Sequence, residues 1–228
     1  MPIRVLLGCG IVGPVLFVTV FLVEGALRPD YDALRMQVSL LSLGDRGPIQ
    51  VASFLVSGTL VLVFAVGLRR WLASGRGAVG GPVAVGAIGL GMVLTGLFSV
   101  QPSFGYPPGA PEGIGTAISA ASYVHVVGAF LFLFGLAAAA AAFALRFREA
   151  GHRGWAAWSA AATVVVVLFF GASSGGADGR PLVPAYAGLF QRIAIIAGLA
   201  WLGSVAGGIL AGLIEAHAPA GNEAETVR

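Results

Sequence analysis

Six uncharged apolar runs constrain this chain more than any other feature: Val5–Val23, Ile49–Gly67, Ala78–Val100, Val124–Leu145, Trp155–Ala172 and Ile193–Ile214. A helix that crosses a bilayer needs about 20 such residues. None of the runs contains Asp, Glu, Lys or Arg. In hydrocarbon the backbone must satisfy its own N–H and C=O groups, which leaves helices or closed barrels. The runs are too long for barrel strands and do not alternate, so helices remain. The first run comes just after Arg4 and has the look of a signal peptide. Its apolar stretch exceeds the usual core of roughly 7–15 residues, which favours a retained helix.

The expectation is an all-α, polytopic membrane protein. Residues 1–214 form one six-helix transmembrane domain, and residues 215–228 a disordered cytoplasmic tail. Only 10% of the chain is charged, and its mean hydropathy is +0.92. A water-facing domain carries about 25% charged residues, so this chain could not cover a soluble surface. All 13 basic residues are arginine. In a membrane protein they set orientation, so no nucleic-acid partner is expected. With the N-terminus inside, Arg4, Arg69, Arg70, Arg76, Arg146, Arg148, Arg153 and Arg228 are cytoplasmic. Arg28, Arg35, Arg46, Arg180 and Arg192 are outside, eight against five. The two short inner loops hold six of the eight. Both termini are therefore expected in the cytoplasm of a plasma-membrane protein.

The polar exception is Glu24–Gly47, which holds seven formal charges. Asp30 or Asp32 could cap a helix running to Leu43, with Gly44 as its stop. On that helix Asp32, Arg35, Ser39 and Ser42 would share one face, and Leu34, Val38 and Leu41 another. The reading is a short amphipathic helix in the first extracytoplasmic loop; a solvated linker is the plainer alternative. Gly105-Tyr106-Pro107-Pro108-Gly109-Ala110-Pro111 in the second outer loop spells a rigid, non-helical cap.

Under this topology Glu24, Gln101, His125, Gln191 and Arg192 sit at the outer helix ends, beside that segment. Ionisable groups at membrane depth face a cavity or one another. The expectation is a polar pocket open to the outer face, with ligand-binding candidates Arg28, Tyr31, Asp32, Arg35, Ser39, Gln101, Gln191 and Arg192. It would take a small amphipathic or lipid-like molecule. One alternative is a membrane enzyme in which His125 works with Glu24 or Asp32 as an acid–base pair. Another is a protein that docks a membrane partner through the Asp32, Arg35 and Ser39 face. Plainer readings exist for single members: an i,i+4 pair of Glu24 with Arg28, Arg192 snorkelling to headgroups, His125 bonded to a carbonyl.

Several chemistries are excluded. Gly8-Cys9-Gly10-Ile11-Val12-Gly13 matches GxGxxG, but the residues after it stay apolar to Val23 and form no βαβ unit. There is no lysine for a phosphate loop and no HExxH. Cys9 alone makes no disulfide or thiolate zinc site. His125 alone is placed for haem, which needs paired membrane histidines. No cofactor and no metal are expected. Gly203-x-x-x-Gly207 and Gly208-x-x-x-Gly212 are close-packing patterns, serving within the bundle or between subunits of an oligomer.

Gly10-x-x-Gly13-Pro14, then Arg28-Pro29-x-Tyr31-Asp32, then Leu34-Arg35-x-x-Val38-Ser39-x-Leu41-x-Leu43-Gly44 form a recognisable series. With Gly105-Tyr106-Pro107-Pro108-Gly109, His125, Arg153-Gly154-Trp155 and Gln191-Arg192, the chain resembles the bacterial integral membrane family known as domain of unknown function 998. The resemblance spans nearly the whole chain. It implies a six-helix, multi-pass protein common in actinobacteria, and it carries no established activity.

Overall fold

A computed structural model describes residues 1–72, 74–113, 119–174 and 182–215. The tail expected at 215–228 lies outside them except for Glu215, as do Asp178 and Arg180. Six helices run in order: α1 (Ile3–Leu27), α2 (Gly47–Trp71), α3 (Gly80–Leu97), α4 (Ala120–Glu149), α5 (Arg153–Ser174) and α6 (Ala187–Leu210). All six are long and apolar enough to cross a membrane. No strand occurs among the described residues.

Each helix packs against the next and α6 closes on α1, so the six form a ring, with a lesser contact of α4 across to α6. Lipid tails are as apolar as leucine, so association in a bilayer depends on close approach of backbones. Glycine supplies it. A Cβ at Gly91 of α3 would strike the Phe132 amide and the Gly128 carbonyl of α4. A Cβ at Gly58 of α2 would lie 2.8 Å from the Gly89 carbonyl of α3. Two of the three glycines of GxGxxG serve the same end: Gly10 admits the Phe64 ring and Gly13 lies against the Ser57 carbonyl, whereas a Cβ at Gly8 would meet nothing within 4 Å. In α6, Gly203 and Gly207 face Gly10 and Ile11 of α1 at ordinary contact distance, and Gly208 receives the Trp155 ring. Gly212 lies beyond the helix at φ +72°, a left-handed helix stop.

The bundle has two unlike ends. The start of α1, the end of α6 and the described parts of the loops after α2 and α4 share one, the terminal end. There Arg146, buried, donates to the carbonyls of Ser74 and Arg76, and Arg76 pairs with Glu149 at 2.7 Å. The connection after α1 and the described parts of those after α3 and α5 share the other, the cap end.

The cap segment departs from its expected form. Instead of a helix from Asp32 to Leu43 there is a turn over 33–35 and then a five-residue 3-10 helix, Val38–Ser42. Asp32 Oδ1 accepts the Leu34 amide at 2.9 Å, a local Asx turn in place of a helix cap. The continuation fails because α6 takes the carbonyls a helix would need. The first amides of a helix have no partner within it. Here those of Gly188 and Leu189 donate to Arg35 and Leu34 carbonyls at 3.2 and 2.9 Å. Arg192 takes the carbonyls of Ala33 and Met36. The 3-10 helix is buried, with Leu40 and Leu41 at most 1% exposed, so it plugs the ring instead of lying on a lipid surface. Gly44 ends it at φ +73°, as expected of a glycine stop.

Candidate functional site

Two arginines hold the cap down. Arg192 leaves the second turn of α6 and donates to the carbonyls of Ala33, Met36 and Gly188 at 2.7, 2.8 and 3.0 Å, and to the Tyr31 hydroxyl. Tyr31 in turn donates between the Met36 and Gln37 carbonyls. Burial pushes the Tyr31 phenol up to about 12, against the opposing pull of the Arg192 charge. Arg28, at the end of α1, donates to the Leu43 carbonyl and the Tyr106 hydroxyl, both at 2.8 Å, and to Glu24 at 3.2 Å. Glu24 also receives Arg46 in a two-pronged contact of 2.6 and 3.0 Å. The rings of Tyr31 and Tyr106 meet edge to face at 5.4 Å, which joins the two clusters. Tyr106 is presented by a tight turn in which Phe104 and Gly105 take φ 55° and 76°. A bulky residue at positive φ is strained, and it persists where the surroundings fix it. Here the turn sends Phe104 to the wall of a cavity.

That cavity, of about 350 Å³, lies beneath the cap inside the ring. Its polar wall includes Gln37, Ser39, Gln101, Ser103, Ser122, His125 and Gln191; its apolar wall includes Phe54, Phe104, Phe130, Phe132, Leu133 and Phe170. No Asp, Glu, Lys or Arg lines it among the described residues. Ser119 caps α4, accepting the Ser122 amide at 3.1 Å, which starts the helix where Ser122 and, a turn later, His125 face inward. Gln191 Oε1 accepts the Val38 amide at 2.8 Å and anchors the 3-10 helix as a wall.

His125 is 2% exposed. Its Nδ1 lies 2.8 Å from the Phe98 carbonyl. A carbonyl only accepts, so Nδ1 carries the proton and Nε2 of the neutral ring is an acceptor. That Nε2 is buried with no hydrogen-bond partner. Buried polar atoms are ordinarily paired, so an orphan at a cavity wall marks where a donor would bind.

The structure thus sorts the sequence candidates into three groups. Ser39, Gln101, His125 and Gln191 share the cavity wall. Glu24, Arg28, Tyr31 and Arg192 form the buried clamp beside it, their charges committed to one another, to Arg46 and to backbone carbonyls. Asp32 is exposed, and the half-exposed Arg35 pairs with Glu112 at 3.3 Å. Neither Glu24 nor Asp32 lines the cavity with His125. Sequence reasoning missed Tyr106, Arg46, Ser122 and the aromatic wall of Phe54, Phe104, Phe130 and Phe170. Ser119-x-x-Ser122 before an apolar run is a readable helix start. Nothing in the sequence separates wall phenylalanines from lipid-facing ones.

A family model described as protein of unknown function (DUF998) matches residues 11–208. No curated protein and no solved structure matches the chain.

Proposed function

We propose that this chain, which belongs to the DUF998 family and is a multi-pass integral membrane protein, binds a small uncharged amphipathic molecule in the cavity at its cap end. One observation carries the reading: His125 Nε2 is a buried, unpartnered acceptor on the wall of a cavity that no ionised group lines among the described residues. A ligand with a hydroxyl or amide N–H would satisfy it, and the phenylalanine wall would take the apolar remainder. A carboxylate or ammonium would find no counter-ion among the described residues of the cavity wall. The volume is at the small end of ligand sites, roughly 300–1,000 Å³. The acid–base alternative lacks support, because neither Glu24 nor Asp32, nor any other carboxylate among the described residues, joins His125 at the wall. The arginine-rich loops of the terminal end favour a cytoplasmic placement there and an outward-facing cap, in the plasma membrane.

Native mass spectrometry of the purified protein tests this. Wild type should carry a non-protein adduct at one-to-one stoichiometry. Ala129→Trp, which fills the cavity, and His125→Phe, which removes the acceptor, should lose it while keeping their helical circular dichroism. A wild type without adduct, or the same adduct on all three proteins, would refute the proposal.

A further inference from the structure

A second cavity adjoins the first. It is a groove of about 200 Å³ in the seam between α4 and α5, lined by Phe130, Phe134 and Ala137 on one side and Val167, Phe170 and Gly171 on the other. Phe130 and Phe170 line both spaces. The rings of Phe130, Phe134 and Phe170 form a triangle with centroids 5.4 to 5.6 Å apart. Phe134 is 58% exposed on the membrane-facing surface, so the triangle stands between bilayer and cavity.

We propose that the cavity is loaded sideways from the bilayer, across this triangle, by a single-chain lipid with an uncharged hydroxyl head. The head reaches His125 and the chain lies in the α4–α5 groove. This deepens the reading of the cavity as a ligand site and rests on it. Three observations favour the side entrance over a watery one. Among the described residues, the cap segment is held over the bundle by charge-assisted bonds from Arg28 and Arg192 and by the plug of Leu40 and Leu41. Among the described residues no hydrogen bond crosses the seam at the triangle, where ring contacts close it and can rearrange. And α5 is the loosest helix: 28% of its most apolar stretch is buried, against 44% to 56% for the other five. The composition fits the occupant, since the polar groups gather at His125 and the groove walls are apolar apart from Ser174. From Ser122 to Ala137 the helix rises about 22 Å at 1.5 Å per residue. That is deeper than one leaflet of a hydrocarbon core of about 30 Å, so a chain and not a compact solute matches the length.

The test uses the full chain in lipid nanodiscs and a fatty alcohol with a photoactivatable diazirine in mid-chain. Labelling that excess unlabelled alcohol competes away is mapped by peptide mass spectrometry. Wild type should be labelled on α4 and α5 around the groove. Gly171→Leu should cut that saturable labelling about tenfold. A Cβ at Gly171 meets nothing within 4 Å, so the new side chain fills the groove without a clash. Val167→Trp, at a membrane-facing position, fills the same groove independently and should act alike. Saturable labelling confined to peptides around Ser122 and Val126, and unchanged in both variants, overturns the side entrance and leaves the cavity reading standing. No saturable labelling in wild type overturns both. The corresponding fatty acid should compete poorly; equal competition would overturn the uncharged head.

Discussion

Arg192 shows what a single charge does at membrane depth. Read from the sequence, it could line a pocket or snorkel to headgroups. The structure commits its donors to three carbonyls and the Tyr31 hydroxyl, at 6% exposure. Sequence cannot reveal that, because the acceptors are backbone atoms whose positions depend on the fold. Hydrogen bonds to a charged group contribute about 1.5–3 kcal/mol each, and orphaned acceptors add their desolvation. Arg192→Met should therefore lower stability by about 3 kcal/mol or more, read as a fall in the thermal midpoint in detergent. Arg192→Lys should recover only part, since one ammonium cannot reproduce the planar fork. Tyr31 carries a pH signature. Its phenol is held near 12 in the fold against about 10 in an unfolded chain. A folded value above the unfolded one means stability that is complete below pH 10 and is lost as the pH climbs toward 12. At 1.36 kcal/mol per unit this amounts to about 2–3 kcal/mol. Absorbance titration of tyrosinate should show one late-titrating phenol near pH 12 that is absent from Tyr31→Phe. The variant should also unfold with a shallower dependence on alkaline pH.

At the scale of elements, hydropathy finds all six helices but not their ends. It starts the last span at Ile193, yet α6 begins at Ala187. Gln191 and Arg192 look like boundary residues because hydropathy treats them as wet. They lie inside the helix because the Val38 amide and the cap carbonyls meet their polar atoms. The cap segment errs in the opposite direction: its local pattern is helical, but α6 competes for its carbonyls and wins. Gly188 is the hinge of that competition. A Cβ there would collide with the Met36 carbonyl and lie 2.7 Å from that of Ala33. Gly188→Val should push the cap off α6 at a cost of about 1–3 kcal/mol, the usual range for overpacking. Limited trypsin treatment reads this directly. Cleavage after Arg35 should be slow in wild type and fast in the variant, while cleavage after Arg148 at the terminal end stays unchanged. Equal rates at Arg35 would mean that the segment is held by something other than this contact.

For the whole molecule the distribution of charge is sharper than a count of arginines suggests. At the cap end Arg28 and Arg46 are tied to Glu24, Arg35 to Glu112, and Arg192 is buried among carbonyls. At the terminal end Arg4, Arg69, Arg70, Arg148 and Arg153 are exposed and make no ion pair among the described residues. The positive-inside bias acts on such free arginines flanking short loops, so the terminal end should stay in the cytoplasm and the cap should face outward. The sole cysteine makes the test simple, because Cys9 is buried in α1 and Cys9→Ser removes any background. In that background Asp45→Cys and Ser74→Cys place one thiol at each end, both at exposed positions. A membrane-impermeant maleimide applied to intact cells should label Asp45→Cys at once and Ser74→Cys only after the membrane is broken. The reverse pattern would turn the bundle over. The cavity and its side entrance would then draw on the inner leaflet, while the geometry at His125 would be untouched.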